Sequence, residues 1–355
     1  MTTIKVSVAE PYEVLIGSGM LKDSGAIIAQ KHALCTAALI TDDSVETLYA
    51  DEVEASLKRA GFKVCRIVFP HGEASKNLTT LGVVLESLAS HRLTRSDLII
   101  ALGGGVVGDL AGFAAGVYLR GIPFVQIPTT FLAAIDSSVG GKTAVDLKAG
   151  KNLAGVFWQP RLVICDCDTL LTLPNEYFLD GMGEAVKYGL AFDDALFALL
   201  AGGDITPNLT TVVAQCVKIK ADIVAQDERD TSQRQKLNFG HTVGHAIEQC
   251  SEFSISHGQA VAIGMVIITR ACVKKGLIAQ DCLAALYDVL NCCGLPVTCA
   301  YDAKALTQAA LGDKKRRGNH LTLVLPTKIG ECALHEIDVN TLEQWIALGL
   351  DTANG

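Results

Sequence analysis

Short β-rich runs alternate with helical stretches through the first half of this 355-residue chain, and this rhythm constrains the fold more than any other feature. Such alternation predicts strand–helix–strand crossovers and therefore a mostly parallel sheet. Ligands of such sheets bind at the carboxyl ends of the strands. The predicted strands are Ala37–Thr41, Val64–Phe69, Leu98–Leu102, Phe124–Ile127 and Leu162–Cys165, and the predicted helices between them include Val45–Ala60 and Asn77–His91.

The second half of the chain follows a different pattern, which begins at about Leu170. Its hydrophobic residues recur with helical periodicity, and a β-like run comes only late, at Leu321–Leu325,. Because 355 residues exceed one ordinary core, we predict two domains with a boundary near Pro174,. The helices predicted for the second half include Leu196–Ala201, Thr210–Gln226, His241–Cys250, Gln259–Lys275 and Cys282–Cys292.

The charge and hydropathy of the chain disfavour several classes of partner. A formal net charge of −8 argues against nucleic acid or an anionic membrane, although small anionic substrates respond to local charge,. The N-terminal residues lack the basic start and apolar run of a secretory signal,. The uncharged stretch from Gly121 to Ile135 contains two prolines and is too short to cross a bilayer,.

The twelve cysteines are scattered through apolar segments, and none of them forms the CxxC spacing of zinc-ribbon or thioredoxin-type sites,. A chain of this size without a secretory signal is unlike the small disulfide-rich secreted domains. We therefore expect the cysteines to be small buried apolar residues in a reducing cytoplasm.

A glycine-rich turn, Gly103-x-Gly105-x-x-Gly108, follows a predicted strand and precedes the predicted helix Leu110–Leu119. This spacing matches the dinucleotide-binding fingerprint, in which backbone amides approach a phosphate. The usual motif follows the first strand and has an acidic residue about 20 positions later, whereas this one follows a middle strand and lacks that acid. From the motif alone, a tight strand–helix turn is an equally good interpretation.

Other residues placed after predicted strands favour the nucleotide interpretation. Asp42 could accept hydrogen bonds from ribose hydroxyls, and a lysine in a glycine-rich loop can bind phosphate, although most lysines are solvated surface residues. Asp109 would also be favourable merely as an acid in the first helical turn. The residues that bring donors and charge to this edge are Asp42, Gly72, Glu73, Lys76, Asp109, Thr129, Thr130, Lys142 and Lys151.

Three histidines within 17 residues and one acidic residue could bind a catalytic metal,. His241 and His245 are four residues apart and share one face of a helix, but Thr242 follows His241 where a metalloprotease has its glutamate. Glu184 and His257 could complete the site instead. Two ligand sets stay open: Glu184, His241 and His257, or a set that includes His245.

Basic and amide residues around these histidines indicate an anion pocket. Lys187 lies three residues after Glu184 on the same helix face, where it could form a surface ion pair or point into the metal site,. Lys220, Arg234 and Asn238 precede His241. The densest basic run, from Lys314 to Arg317, is either a solvated loop or a clamp for phosphate or carboxylate.

Several stretches together resemble the 3-dehydroquinate synthase family, within the superfamily that includes metal-dependent polyol dehydrogenases. The run Asp136–Asn152 is especially similar, and His71 departs from the aspartate common before Gly-Glu. The stretches that carry the resemblance are Gly103–Arg120, Pro128–Thr130, Asp136–Pro160, Gly181–Gly189, Leu237–His245 and His257–Gly264.

The resemblance implies an α/β N-terminal Rossmann-like domain at residues 1–174, which binds NAD, and an all-α C-terminal domain at residues 175–355. It implies Zn²⁺ or Co²⁺ on Glu184, His241 and His257, which makes His245 a substrate contact. The implied substrate or catalytic residues are Lys142, Asn152, Lys187, Lys220, Arg234, Asn238, His245, Lys314, Arg120 and Asp136. The implied cofactor residues are Asp42, Gly72, Glu73, Lys76, Gly104, Gly105, Val106, Val107, Gly108, Asp109, Thr129, Thr130, Lys142, Lys151, Thr169, Leu170, Leu171 and Thr172.

The family's reaction begins from 3-deoxy-D-arabino-heptulosonate 7-phosphate, a step of the shikimate pathway. It combines transient oxidation by NAD, elimination of phosphate, re-reduction and intramolecular aldol closure to 3-dehydroquinate. The resemblance also implies a homodimer in which Arg120 contributes across the interface. Two alternatives stay open: a related cyclase of another sugar phosphate, such as a 2-deoxy-scyllo-inosose or 2-epi-5-epi-valiolone synthase, and a net polyol dehydrogenase that needs no phosphate pocket.

Overall fold

The computed structural model describes residues 1–312 and 319–350 and divides the chain into two compact units. The first unit comprises Met1–Leu173 and Cys216–Arg229, and the second comprises Pro174–Gln215 and Asp230–Gly355. The segment Cys216–Arg229 thus packs with the first unit although it follows the predicted boundary near Pro174. Lys314, a predicted substrate residue, lies outside the described residues.

A seven-stranded sheet forms the centre of the first unit, in the order β1-β2-β9-β6-β5-β3-β4. Only the β1–β2 pair is antiparallel, and the remaining pairs are parallel, as the strand–helix rhythm predicts. The strands of this sheet are β1 (Thr2–Val6), β2 (Tyr12–Gly17), β3 (Thr36–Asp42), β4 (Lys63–Phe69), β5 (Leu98–Gly103), β6 (Phe124–Pro128) and β9 (Leu162–Asp166).

The central strands are apolar throughout because helices cover both faces of the sheet. Every residue of β5 is buried, and its side chains alternate between two hydrophobic cores. Ile99 packs in one core with Val107 and Ala111, whereas Ile100 packs in the other with Val53 and Leu57. The five predicted strands are confirmed, each within one residue of its bounds. The helices of this unit are α1 (Ser24–Ala29), α2 (Asp43–Val45), α3 (Asp51–Ala60), α4 (Leu78–Ser90) and α5 (Gly105–Val117).

A separate two-stranded hairpin occupies part of the glycine-rich region after β6. Its strands, β7 (Lys142–Leu147) and β8 (Gly150–Phe157), pair antiparallel from Lys142 opposite Phe157 onwards. The sequence predicts a phosphate-binding lysine, Lys142, in a glycine-rich loop at residues 137–143. The structure instead places Lys142 at the first position of β7 and Asn152 within β8.

The strand order reverses between β3 and β5, which lie side by side in the sheet. From β3 the chain passes to β4 at one edge of the sheet, and it then returns across β3 to β5 and on to β6. Such a switch point leaves a crevice at the carboxyl ends of the two strands, where α/β proteins bind their ligands. Here those ends carry Asp42 and the glycine turn that follows Gly103.

The second unit is helical, with one two-stranded hairpin. The hairpin pairs β10 (His320–Lys328) with β11 (Glu331–Asp338), and it contains the predicted β-like run Leu321–Leu325. No helix among residues 1–312 and 319–350 is long and apolar enough to cross a membrane. The remaining helices are α6 (Asn175–Phe192), α7 (Asp194–Leu200), α8 (Leu209–Gln226, which runs into the first unit), α9 (His241–Cys250), α10 (His257–Lys274), α11 (Gln280–Cys292), α12 (Ala303–Gly312) and α13 (Leu342–Gly349).

Candidate metal centre and cofactor edge

Helices α6 and α10 approach closely because each has a glycine at the contact. A Cβ atom on Gly183 would lie 2.2 Å from the carbonyl oxygen of Gly258, and one on Gly258 would lie 2.2 Å from the carbonyl oxygen of Asp180. The Asp180 carboxylate also accepts a hydrogen bond of 2.9 Å from the Gly258 amide. The residues next to this glycine pair are Glu184 on α6 and His257 on α10, so the close packing brings them together.

A second glycine contact places α9 against α10. Gly240, which precedes α9, has a φ of 77°, and a side chain there would overlap the carbonyl oxygen of Val261. A Cβ on Gly264 would lie 2.1 Å from the carbonyl oxygen of Gly240. The left-handed turn at Gly240 makes His241 the first residue of α9, just as His257 is the first residue of α10,.

These contacts bring the three predicted ligands together. Oxygen Oε1 of Glu184 lies 3.4 Å from Nε2 of His241 and 3.3 Å from Nε2 of His257. Ligand atoms at about 2.0–2.1 Å from a tetrahedral zinc ion are separated from one another by about 3.3–3.4 Å. The carboxylate oxygen is therefore separated from each imidazole nitrogen by the spacing of a tetrahedral metal site, and all three ligand atoms lie within 4.8 Å of one another.

The protonation of His241 also fits a cation at this position. Its Nδ1 lies 3.0 Å from the carbonyl oxygen of Phe239, which can only accept a hydrogen bond, so Nδ1 carries the proton,. Burial lowers the pKa of His241 to about 3, which leaves Nε2 as a bare lone pair. That lone pair faces Oε1 of Glu184, a buried oxygen with no hydrogen-bond partner among the described residues. A cation between the two acceptors would satisfy both.

The other oxygen of Glu184 accepts a hydrogen bond from Nζ of Lys187, one turn later on α6. Both residues are only 1% exposed. Burial alone would raise the pKa of Glu184, but Lys187, His241 and His257 outweigh burial and hold it well below its ordinary value. Glu184 is thus ionised and available as a ligand. Of the two interpretations left open for Lys187, the structure supports the buried one.

His257 lies between two carboxylates. Its Nδ1 is 3.1 Å from Oε2 of Glu248, and its Nε2 faces Glu184. Burial would lower the pKa of His257, but its contacts with the carboxylates of Glu184 and Glu248 raise it to about 10. A metal binding at Nε2 would therefore displace a proton, which makes metal affinity dependent on pH. No pattern in the sequence singles out Glu248.

The alternative ligand set with His245 also has a counterpart in the structure. His245, Glu248 and His257 offer ligand atoms that lie within 4.8 Å of one another, as do Glu184, His241 and His257. The ring centroid of His245 is 5.3 Å from that of His241 and 5.8 Å from that of His257. Nearby in the chain, Arg234 is buried and Asn238 is exposed in the 3-10 turn that precedes α9.

In the first unit, the predicted cofactor residues gather along the carboxyl edge of the sheet. Asp42 ends β3 and uses Oδ1 to accept hydrogen bonds from the amides of Ser44 and Val45. The Thr129 amide donates to the Gly103 carbonyl across the ends of β6 and β5. Glycine is required at position 104, because a Cβ there would lie 2.9 Å from a side-chain carbon of Thr130.

Three more predicted groups lie at the same edge. The glycine turn contributes Gly105, Val106, Val107 and Gly108 to the first turns of α5, and the turn after β4 contains Gly72 and Glu73. The segment after β9 contains Thr169, Leu170, Leu171 and Thr172, and Tyr49 fixes it through hydrogen bonds to Thr169 and Thr172.

Lys76 is buried at this edge and does not lie on the surface. Its Nζ is 2.6 Å from Oδ2 of Asp109 and 2.6 Å from the side-chain oxygen of Asn152, which has a left-handed backbone. The carbonyl of Lys76 accepts from the Asp146 amide, and Oδ1 of Asp146 accepts from the Asn152 amide. Burial lowers the pKa of Lys76, but Asp109 and Glu73 more than compensate and raise it. Lys76 thus joins α5 to the β7–β8 hairpin.

A second buried lysine pairs with a predicted substrate residue. Nζ of Lys220 lies 2.9 Å from Oδ1 of Asp136 and 2.6 Å from its carbonyl oxygen. Both residues belong to the first unit, because the part of α8 that contains Lys220 packs there. Lys142, Lys151 and Arg120 are exposed, and Arg120 follows Leu119 in two consecutive left-handed positions.

Comparisons with known proteins give matches over nearly the whole chain. The 3-dehydroquinate synthase N-terminal model matches residues 66–180, and the C-terminal model of the same family matches residues 181–316. A 3-dehydroquinate synthase of Streptococcus suis is 43% identical over 343 residues, which cover 95% of this chain and 97% of that protein.

Two solved structures share the fold over nearly the whole chain. A 2-deoxy-scyllo-inosose synthase complexed with carbaglucose-6-phosphate, NAD⁺ and Co²⁺ has a TM-score of 0.88 and 27% identity, and covers 98% of this chain and 100% of that one. The 2-epi-5-epi-valiolone synthase of Streptomyces hygroscopicus subsp. jinggangensis 5008, with NAD⁺ and Zn²⁺ bound, has a TM-score of 0.86 and 26% identity, and covers 95% of this chain and 96% of that one.

Proposed function

Since the chain belongs to the 3-dehydroquinate synthase family, we propose that it converts 3-deoxy-D-arabino-heptulosonate 7-phosphate to 3-dehydroquinate and inorganic phosphate. It is an enzyme of that kind, a carbon–oxygen lyase acting on phosphates, in the shikimate pathway. The observation that carries the proposal is the unpartnered oxygen of Glu184, at tetrahedral spacing from His241 and His257.

Glu184, His241 and His257 would hold a divalent Zn²⁺ or Co²⁺ ion, and the carboxyl edge of the parallel sheet would hold NAD. When bound, the metal supplies Lewis acidity toward a substrate hydroxyl, and NAD takes up and returns a hydride. The reaction involves no net oxidation, so the chain needs to hold NAD through the whole cycle. Asp42 at the end of β3 would accept a ribose hydroxyl, and the amides that follow Gly103 would approach the phosphates.

Cationic and amide side chains would bind the anionic substrate. We assign its carboxylate, hydroxyls and phosphate to Lys142, Asn152, Lys187, Lys220, Arg234, Asn238 and His245, together with the carboxylate of Asp136. Arg234 and Lys220 are buried, which strengthens their attraction for an anion,. Lys187 also holds Glu184 ionised, so one lysine would serve both the metal ligand and the substrate.

We also propose a cytoplasmic setting, and the cysteines support it. All twelve cysteines are free thiols, and burial raises the pKa of several of them, Cys165 among them. Such thiols are typical of a reducing compartment, which supports a cytoplasmic enzyme. We also propose a homodimer, in which the exposed Arg120 reaches the site of the second copy.

The decisive experiment follows phosphate release and absorbance of NADH together in one purified sample. We expect phosphate from the heptulosonate phosphate with no lasting NADH signal, and loss of turnover after chelation that added Zn²⁺ or Co²⁺ restores. Steady accumulation of NADH with a polyol would favour a dehydrogenase. Phosphate release only from another sugar phosphate, such as a hexose 6-phosphate, would favour a related cyclase.

A further inference from the structure

Both histidines of the metal centre are held through the nitrogen that faces away from it. Nδ1 of His241 donates to the carbonyl oxygen of Phe239 at 3.0 Å, whereas Nδ1 of His257 faces Oε2 of Glu248 at 3.1 Å. The first partner is a neutral backbone group, and the second is a carboxylate that is only 5% exposed. Partners of this kind fix the ring orientation of metal-bound histidines, and a carboxylate also makes the imidazole a stronger donor.

The backbone between α9 and α10 is shaped to place this carboxylate. Glu248 lies in the last turn of α9, and its carbonyl oxygen accepts hydrogen bonds from the Phe253 amide and the Ser251 hydroxyl. Glu252 and Phe253 both have left-handed backbones, with φ of 51° and 64°. Two such residues in succession are costly, and they turn the chain sharply back, so that His257 faces a residue nine positions earlier.

We propose that Glu248 is a positioning residue of the metal centre, whose carboxylate holds the His257 ring with Nε2 directed at Glu184. The inference rests on the proposed function, because it presumes a metal at Glu184, His241 and His257. Glu248 would not touch the metal or the substrate. It would act through His257 alone, by fixing the orientation and tautomer of the ring and by raising its donor strength.

An alternative is that Glu248 itself binds the metal together with His245 and His257, whose ligand atoms are also close enough. The pairing of oxygens argues against it. Oε2 of Glu248 already has a partner in Nδ1 of His257, whereas Oε1 of Glu184 has none among the residues that the structure describes. The oxygen that lacks a hydrogen bond and could bind a cation is therefore Oε1 of Glu184, on the Nε2 side of the His257 ring.

The test measures metal affinity and does not depend on turnover. Zn²⁺ and Co²⁺ dissociation constants are determined by chelator competition for the wild type, Glu248→Ala, Glu248→Gln and Glu184→Ala. The visible absorption of the Co²⁺ form reports ligand geometry. Glu252→Gln is the matched control, because it removes one carboxylate charge from an exposed position four residues away.

We expect Glu248→Ala to weaken metal binding by about 10- to 100-fold and to alter the Co²⁺ spectrum. Glu248→Gln should recover part of the loss, because its amide oxygen still accepts from Nδ1. Glu184→Ala should lose more affinity than either, and Glu252→Gln should match the wild type. Thermal unfolding of the metal-free variants separates loss of the site from loss of the fold.

Three outcomes would overturn the inference. An unchanged affinity and spectrum in Glu248→Ala would show that the carboxylate does not act on His257. A loss as large as that of Glu184→Ala, not relieved by glutamine, would make Glu248 a ligand. A wild type that binds neither metal would remove both this inference and the metal centre of the proposed function, whereas the first two outcomes leave that centre intact.

Discussion

The carboxylates of the two units differ in how their charge is compensated. In the first unit, Asp109 and Asp136 each have a lysine Nζ within 2.9 Å, so the protein itself supplies the compensating cations. In the second unit, Glu184 has one oxygen paired with Lys187, and its other oxygen forms no hydrogen bond among the described residues but faces Nε2 of His241 and of His257. At the predicted cofactor edge, lysines of the protein compensate the carboxylate charges. At the candidate metal centre, one carboxylate oxygen is left for a bound ion to compensate.

The largest expected loss of stability comes from removing the lysine that compensates Asp109. Lys76→Met leaves Asp109 largely buried without its partner and deprives Asn152 of a donor. Loss of one member of a buried ion pair costs about 3–5 kcal/mol, because the other charge stays uncompensated. We expect chemical denaturation to show a loss of that size.

Lys58→Met is the control for Lys76→Met. Its Nζ is 2.6 Å from Glu54, but its side chain is more than half exposed. An exposed pair contributes less than about 1 kcal/mol, because water screens its charges. Similar losses in the two variants would show that burial of Lys76 does not set its contribution.

In the second unit, the backbone spacing should be the sensitive feature. Gly183→Ala places a methyl group 2.2 Å from the Gly258 carbonyl oxygen and must push α6 away from α10. Overpacking of this kind typically costs about 1–3 kcal/mol. Glu184 would also move away from His257, so we expect weaker metal binding in chelator competition as well as a lower free energy of unfolding.

Gly82→Ala provides the matched substitution, because no atom lies within 4 Å of the Cβ position inside α4. Alanine is the better helix former, so this variant should be more stable by about 0.5–1 kcal/mol and should bind metal normally. Normal metal affinity in Gly183→Ala would contradict the role assigned to the glycine contact.

The smallest expected loss of stability concerns Asp97, a carboxylate that accepts hydrogen bonds mainly from backbone amides. Asp97, which precedes β5, accepts from the amides of Thr94 and Thr36 and from the Thr94 hydroxyl at 2.6–2.8 Å. Burial alone would raise the pKa of Asp97, but these hydrogen bonds lower it below the ordinary 3.8. Ionised Asp97 therefore stabilises the folded state fully above pH 3.8, and this contribution is lost as the pH falls through the lowered pKa.

We expect Asp97→Asn to lose about 1–2 kcal/mol at pH 7, as hydrogen bonds to a charged group weaken. The difference from the wild type should shrink as the pH falls below 3.8, and it is measured by urea unfolding across acidic pH. A loss that stays constant through the acid range would show that the charge of Asp97 does not contribute.

Much of the first unit could be predicted from local sequence. The strands from β3 to β6 are short apolar runs bounded by turns, and a parallel sheet places their carboxyl ends at one edge. The hairpins β1–β2 and β7–β8 were not predicted, because neither follows the strand–helix rhythm. Strand β2 also pairs with β9, which is distant in the chain, and no local pattern encodes such a pairing.

For the candidate site, the sequence predicted which residues could bind a metal, but it did not predict which of them contact one another. Glu184, His241 and His257 were singled out as one of two possible ligand sets, but spacing could not choose between them. Glu248 and Gly183 were missed as functional residues, because one is an ordinary helical acid and the other an ordinary glycine until their neighbours are known. The position of Lys76 after a strand could be predicted from the sequence, but its burial and its pairing with Asp109 could not.

The amino-acid sequence by itself determined the alternation of strands and helices, the glycine turn and the supply of one acid and three histidines. These are properties of neighbouring residues, which local hydrophobic periodicity and backbone preference encode. Only the tertiary structure decided which nitrogen of His241 and of His257 faces Glu184, which carboxylate oxygen lacks a hydrogen bond and which lysines are buried. Those properties depend on helices brought together by glycine contacts between residues far apart in the chain.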